Sequence, residues 1–411
     1  MTILETARKI LNEGPICDHC LGRQFAKLST GLSNDKRGEA IKLVLAMQAS
    51  ADNDTGLQEE LKNTSENKCW VCNDLFLDLD LWAEKSIHVL SDYEYDNFLV
   101  GTRVTGLLAE NEEIVWAEGR STFAEPLKTE LNREVGKRIE KMTGKRANLK
   151  KPQIVALLGL ENDDVELEVN SLYIYGRYRK LIRGIPQTRW PCRECGGRGC
   201  ERCDNTGRMY QESVDELIRP HLIASACCYD TAFHGAGRED IDALMLGDGR
   251  SFVVEAKRPH IRNIDLDALS SRINTEAEGK IEVLGLKFVE SETVEQLKSM
   301  KADKIYRLKI MHSTSEEKLK SSLNIISGTL IKQKTPTRVL HRRGDLERMR
   351  RVHSADLESY SENTAVLVIF CEGGLYVKEL VSGDGGRTVP SISSLMGCEA
   401  KVIELEVIKA G

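Results

Sequence analysis

The sequence predicts an α+β protein with more than one domain, on three observations. Helix-start signatures dominate the N-terminal region, strand-like runs with helices between them dominate the region after residue 213, and a Pro- and Cys-rich stretch, Pro186 to Arg208, lies before that second region. At 411 residues the chain is long enough for two or three domains and more than one buried core. We expect an N-terminal region over 1–74, an α/β domain over 75–190, and an α+β domain on a mixed sheet over 191–411 with a Cys-rich insertion at 191–208.

In chain order, Thr2-x-x-Glu5 is a capping box and Gly14 a stop, which predicts a helix over Ile3 to Asn12. A second helix is expected near Lys36 to Gln48, then a polar excursion over 49–68. Between 75 and 190, short strand-like runs (Phe98 to Val100, Val104 to Leu108, Ile154 to Leu158) mix with the charged helical run Lys128 to Met142. Ser213-x-x-Glu216 caps a helix running to about Cys228. Strands are expected over Ser251–Ala256, Lys304–Ile310, Ala365–Phe370, Leu375–Lys378 and Lys401–Lys409, with helical pieces near Thr293–Met300 and Ser315–Leu323.

Composition excludes several classes. Hydrophobic residues make up 41%, so the chain can build a core, and the longest apolar runs are too short to span a bilayer. The N-terminal residues carry no signal-peptide core, so the expected compartment is the cytoplasm. The net charge of −6 means that contact with nucleic acid must come from local patches, and with aromatics at 5% any base stacking rests on a few rings. Two patches stand out. Residues 177–189 carry Arg177, Arg179, Lys180, Arg183 and Arg189 with no acid; residues 332–351 carry eight basic residues, among them Arg338, Arg342 and Arg343, against two acids. Solvated helix faces would explain one such patch; two in an acidic chain point to phosphate tracking on RNA. Tyr173, Tyr175 and Tyr178 beside the first patch are expected to be mostly core.

Eight of the twelve cysteines form four C-x-x-C pairs. Cys17/Cys20 and Cys69/Cys72 can each supply one knuckle of a four-thiolate zinc site, since two thiolates on one tight turn share a metal at about 2.3 Å. Buried free thiols are the plainer alternative. Cys192/Cys195 and Cys200/Cys203 sit in a Gly-rich loop that permits a second compact zinc site, an empty loop or a disulfide-bonded one.

The segment His234 to Lys257 admits two chemistries. Asp242 with Glu255-x-Lys257 has the D…E-x-K pattern of a metal-dependent nuclease acting on RNA or DNA, in which two carboxylates hold a divalent ion and the lysine steadies water. The pattern is short and arises often by chance. A non-catalytic zinc protein that binds RNA is a third reading.

Gly237-Arg238-Glu239-Asp240 resembles the G-R-x-D motif of pseudouridine synthases. Lys304-Ile305-Tyr306 resembles their K-x-Y element. Gly373-Gly374-Leu375-Tyr376-Val377-Lys378-Glu379, continuing through Ser382-Gly-Asp-Gly-Gly-Arg-Thr388 to Pro390, resembles the third motif of one branch, the archaeal and eukaryotic pseudouridine synthase ten family. Cys17-Asp-His-Cys20-Leu-Gly-Arg-Gln-Phe25, Tyr173-Ile-Tyr-Gly-Arg-Tyr-Arg179 and Pro336-Thr-Arg-Val-Leu-His-Arg-Arg343 are similar to family segments in family order, and the second cysteine cluster is similar to archaeal members.

The resemblance implies a pseudouridine synthase fold, a mixed and mostly antiparallel sheet flanked by helices, behind a zinc-containing THUMP-like α/β accessory domain. It implies isomerisation of uridine 55, with uridine 54 beside it, in the T loop of transfer RNA, by a monomer with structural Zn²⁺ and no catalytic cofactor. By motif position, Asp240 is the nucleophile, Lys378 its cationic partner and Tyr306 the ring that stacks on the base and assists removal of the C5 proton. Tyr376, Val377, Leu405 and Arg238 line the substrate site. The segment 338–351 resembles the thumb loop that grips RNA. Glu255 and Lys257 then sit beside the active site or brace a strand, and bind no metal.

Overall fold

A computed structural model describes residues 2–29, 31–119, 122–300 and 302–410, and all their side chains except that of Arg342. The chain divides into two compact units, Met1–Asn170 and Ser171–Gly411. The boundaries expected from the sequence fall after residues 74 and 190. Residues before and after position 74 share one core, and the 171–190 stretch belongs to the second unit because its first strand is paired on both edges there.

In the first unit the helix Ile3–Asn12 starts on the expected box. The Thr2 N–H donates to Glu5 Oε2 at 2.7 Å and the Glu5 N–H to Thr2 Oγ1 at 3.2 Å, which satisfies two orphan donors of the first turn. Its buried stripe, Ala7, Ile10 and Leu11, joins the core; each large side chain so buried contributes about 1.5–3 kcal/mol. The short helix Asp18–Arg23 crosses Asn34–Ala51 at glycines: a Cβ on Gly22 would lie 1.8 Å from the Asn34 carbonyl oxygen, and one on Gly38 2.0 Å from that of Asp18. The expected polar excursion is instead mostly helix, Thr55–Glu66, started by Asp54 accepting from the Leu57 N–H at 3.1 Å. Its single buried residue, Leu57, explains why no periodicity marks it. The sheet comprises β1 (Asn97–Thr102), β2 (Arg146–Ala147), β3 (Ile154–Gly159) and β4 (Asp164–Val169) in the order β2-β1-β3-β4, with only the β3–β4 pair antiparallel. The helix Leu127–Thr143 buries Leu131, Val135 and Ile139 in the core that this sheet shares. Val104 to Leu108, expected as a strand, leads into the helix Gly106–Gly119: its apolar run continues into Ala-Glu-Asn-Glu-Glu, and helix propensity prevails.

Among its described residues the second unit has ten strands: β5 (Leu172–Lys180), β6 (Asp230–Gly235), β7 (Ala243–Lys257), β8 (Ile281–Val289), β9 (Lys304–Met311), β10 (Leu330–Lys334), β11 (Glu347–Tyr360), β12 (Thr364–Cys371), β13 (Thr388–Val389) and β14 (Lys401–Lys409). Their order is β13-β10-β11-β12-β9-β14-β7-β5-β8, with β6 also on β7. Every pair is antiparallel except β14–β7, so the sheet is mixed and mostly antiparallel as expected. Helices Val214–Ala226 and Leu266–Glu276 cover one half and Glu316–Ile326 the other. Each half has its own core, and Tyr306 packs against both. The run Leu375–Lys378 is not a strand. Gly374, at φ 94°, turns the chain, and a helix follows over Val377–Ser382. Among the described residues no helix is long and apolar enough to cross a membrane.

Candidate active site

The loop between β6 and β7 is fixed from below. Glu239 is buried. Its carboxylate accepts from the Tyr178 hydroxyl at 2.8 and 2.9 Å and from Arg250 Nε at 2.8 Å, and Arg250 Nη1 donates to the Ala236 carbonyl at 2.7 Å. Gln187 Nε2 donates to the Gly237 carbonyl at 3.0 Å. The fully buried Lys180 ammonium donates to the carbonyls of Ile185 (2.9 Å), Asp240 (3.2 Å) and Ile241 (3.1 Å). Such complete satisfaction lets charged groups sit inside a fold and holds the backbone at 240 rigidly.

Above this floor the Asp240 carboxylate meets two cations. Arg338 forks onto it, with Nη1 3.2 Å from Oδ1 and Nη2 3.1 Å from Oδ2, and Lys378 Nζ lies 3.4 Å from Oδ2. Burial pushes the carboxyl up, but the fields of Arg338 and then Lys378 outweigh it and hold Asp240 below the ordinary carboxylate range. Arg338 is steered by Glu379, 2.6 Å from its Nε, and Lys378 mainly by Asp242, at 2.7 and 2.8 Å. The Asp240 carboxylate is thus ionised and neutralised from two sides.

The groups expected in the substrate site surround this centre. Asp240, Tyr306, Tyr376, Val377, Lys378, Leu405 and Arg238 all line one cleft of about 710 Å³, a size ordinary for a ligand site. Burial raises the Tyr306 hydroxyl above its usual range, so it stays protonated. Tyr376 is pinned at its backbone by Gln333 and accepts from Arg343 Nη1 at 2.9 Å through its hydroxyl. Arg238 lies over the Trp190 ring at 4.4 Å, and Trp190 meets Tyr210 edge-on at 5.6 Å. Sequence reasoning missed Arg338 and Glu379 as part of the centre, and Arg250, Trp190 and Tyr210 altogether. The two aromatic residues flank the second cysteine loop, which was the available signal.

The basic patches divide. Arg343 and Arg348 line the cleft beside Arg338, whereas Arg342 lies outside the described side chains. The first patch is largely engaged within the fold. Lys180 is inaccessible. Arg177 donates to the Asp248 and Gly249 carbonyls and Arg179 to the Gly247 carbonyl and Glu282. Arg183 donates to the carbonyls of Asp242 and Leu405. The strand β5 turns these heads onto the neighbouring chain. Tyr178 is fully buried, and Tyr173 and Tyr175 pack beside a small apolar cluster, as expected.

The nuclease pattern is not assembled. Asp242 faces Lys378, Glu255 faces His234 and Ser171, and Lys257 faces Asp230. Among the described residues, the only groups of three or more metal-ligating side chains with ligand atoms within 4.8 Å of one another are the two cysteine foursomes.

Both foursomes fit a tetrahedral thiolate site. Bonds of about 2.3 Å require sulfur–sulfur edges of about 3.8 Å; Cys17–Cys72 is 3.7 Å, Cys192–Cys200 3.8 Å, Cys195–Cys203 3.9 Å and Cys200–Cys203 3.6 Å. All eight thiols are free of disulfides. The Trp70 N–H donates to the Pro15 carbonyl at 2.9 Å and ties the first two knuckles together. Buried Arg23 donates to Cys20 Sγ at 3.5 Å and is shared with Glu130 at 3.4 Å.

Comparison with known proteins places these features. The family described as Pus10, C-terminal, matches residues 173–410, and the archaeal Pus10 THUMP domain matches residues 82–159. The tRNA pseudouridine synthase Pus10 of Methanothrix thermoacetophila is 50% identical, over 100% of this chain and 94% of that one. Its namesakes from Halorubrum lacusprofundi and Methanopyrus kandleri are 40% and 41% identical, each over 99% of this chain and over 96% and 98% of theirs. The fold and these matches define an isomerase of the pseudouridine synthase class. Within that class, the chain belongs to the Pus10 family.

Proposed function

We propose that this protein isomerises uridine 55, and uridine 54 beside it, in the T loop of transfer RNA, with Asp240 as nucleophile. The observation that carries the reading is the Asp240 carboxylate, kept ionised by Arg338 and Lys378 in a cleft lined by Tyr306 and Tyr376. The reaction breaks the C1′–N1 bond, turns the uracil and rejoins it through C5, which needs a charged acid next to the sugar and base and no redox chemistry. The target must leave its loop to reach that acid. Tyr306 stacks on the everted base, Tyr376, Val377 and Leu405 wall the pocket, and Arg343 and Arg348 hold flanking phosphates. Both cysteine foursomes hold structural zinc, closed by four thiolates with no position for substrate. The first-unit sheet and helices bind the transfer RNA away from the reacting uridine.

Asp240→Asn keeps the bulk and removes the charge. Site-mapped pseudouridine on an unmodified transcript, in excess EDTA, should appear with the native protein and vanish with the variant, while RNA affinity stays within about three-fold, because the loss is confined to the transition state. Near-native turnover by the variant sinks the assignment.

A further inference from the structure

Lys304 opens β9 and points to the same side of the strand as Tyr306, since side chains two apart share a face about 7 Å along the chain. It lines the cleft with Asp240 and Tyr306. Yet its ammonium has no hydrogen bond and no ion pair among the described residues. The charged and titratable groups facing it are Arg250 of β7, Cys371 of β12 and Glu239 of the loop before β7. A Cβ added at Gly237 would sit 3.7 Å from its Nζ and 3.3 Å from Arg250 Nη1, so both cations approach the same turn as the Gly-Arg-Glu-Asp loop. Glu239 is already engaged by Arg250 and Tyr178. Lys304 is therefore a cation with no counter-charge of its own. Burial, then Arg250, push it down to about 8, which leaves it mostly protonated at neutral pH but easily discharged.

An ammonium desolvated without a partner gains most from a ligand oxygen that becomes negative only during reaction. Phosphates have their own cations in Arg343 and Arg348; the group within reach of Lys304 is the base stacked by Tyr306. We propose that the Lys304 ammonium hydrogen-bonds a carbonyl oxygen of the target uracil and stabilises the uracil anion that exists between cleavage of C1′–N1 and formation of C1′–C5. As the Asp240 carboxylate bonds to C1′, the C1′–N1 bond breaks and its electron pair passes to the ring, spreading over N1 and the carbonyl oxygens. When C5 then attacks C1′, the ring's pair forms the C1′–C5 bond and the C1′–O bond to Asp240 breaks, its pair returning to the carboxylate; C5 then loses its proton and N1 gains one. Lys304 donates a hydrogen bond throughout and transfers no proton. The inference rests on the synthase reading above.

The test compares Lys304→Met, Lys304→Arg and Asp240→Asn with the native protein on an unmodified transcript, by single-turnover rate from pH 6 to 9.5 and by RNA dissociation constant. Lys304→Met should lower the rate about 100-fold, the size of losing one charge-stabilising donor, with affinity within about three-fold. The native rate should fall as pH rises past about 8, where the ammonium discharges, whereas Lys304→Arg, charged throughout, should recover most of the rate and stay level there. A Lys304→Met rate within three-fold of native (about 0.6 kcal/mol), or a loss confined to affinity, overturns the proposal. If that variant does not fold, a Lys304→Arg profile that falls with the native one above pH 8 overturns it instead. Activity in Asp240→Asn indicts the synthase reading itself; an inactive Asp240→Asn beside a fully active Lys304→Met indicts this inference alone.

Discussion

The two basic stretches of the second unit look alike as sequence and have opposite fates. Residues 177–180 lie on a strand paired on both edges, so Arg177 and Arg179 on one face fold onto neighbouring carbonyls and Lys180 on the other ends fully buried under the loop that carries Asp240. Residues 338–351 occupy a short helical turn and the start of an antiparallel strand beside the cleft, where Arg338 grips Asp240, Arg343 donates to the Tyr376 hydroxyl and Arg348, which donates to Thr335 Oγ1, lines the cleft. Charge density in a sequence therefore does not say whether a cation meets solvent. Strand pairing makes Lys180 internal scaffolding, whereas Arg343 and Arg348 line the cleft.

The comparison breaks most sharply at Lys180. Lys180→Met removes a buried cation from three carbonyls and from Glu239, 4.0 Å away. Leaving those groups unpaired should cost about 3–5 kcal/mol of stability, read as a lowered urea midpoint for the second unit. A phosphate-binding Lys180 predicts the reverse: unchanged stability and weakened RNA binding.

Arg338→Gln should cost less stability and more chemistry. It removes the fork on Asp240, worth about 1.5–3 kcal/mol as hydrogen bonds to a charged group, or about 10- to 150-fold in rate. The pH dependence has a defined sign. Without Arg338 the burial of Asp240 is opposed by Lys378 alone, its carboxyl rises, and the acid limb of the rate profile moves to higher pH, so the deficit is larger at pH 5.5 than at pH 8. A uniform loss across that range would assign Arg338 to RNA binding instead.

Much of this was legible in the sequence, and what was not has physical causes. The capped helices at Thr2 and Ser213 were readable because a cap is a local contact three residues long. The strands at 304, 364 and 401 were readable because each buries alternate residues. Asp240, Tyr306 and Lys378 came only from resemblance; nothing in their spacing brings them to one cleft. The Arg338–Asp240 fork joins residues 98 positions apart and cannot be seen before the sheet closes. Glu239 looked like filler in its motif, yet it is the buried anchor of the loop, a role fixed by Tyr178 and Arg250 on two other strands. The Leu375–Lys378 error has the opposite origin: four residues with strand propensity were outweighed by the positive-φ turn at Gly374.

The smallest expected effects give the finest test of the two-patch distinction, because they separate cations by use rather than by count. Arg343 sits on the cleft side with one neutral partner, the Tyr376 hydroxyl. Arg179 is equally a surface arginine but is spent on Glu282 at 2.8 Å and on the Gly247 carbonyl. If Arg343 contacts phosphate, Arg343→Ala should reduce the slope of log affinity for transfer RNA against log salt by about 1, since one fewer counterion is displaced on binding. Arg179→Ala should leave that slope where it was and change stability by no more than about 1 kcal/mol, as expected for a screened surface pair. Equal slopes for the two variants would mean that both patches meet RNA to the same degree, and the division between scaffold and rim would be wrong.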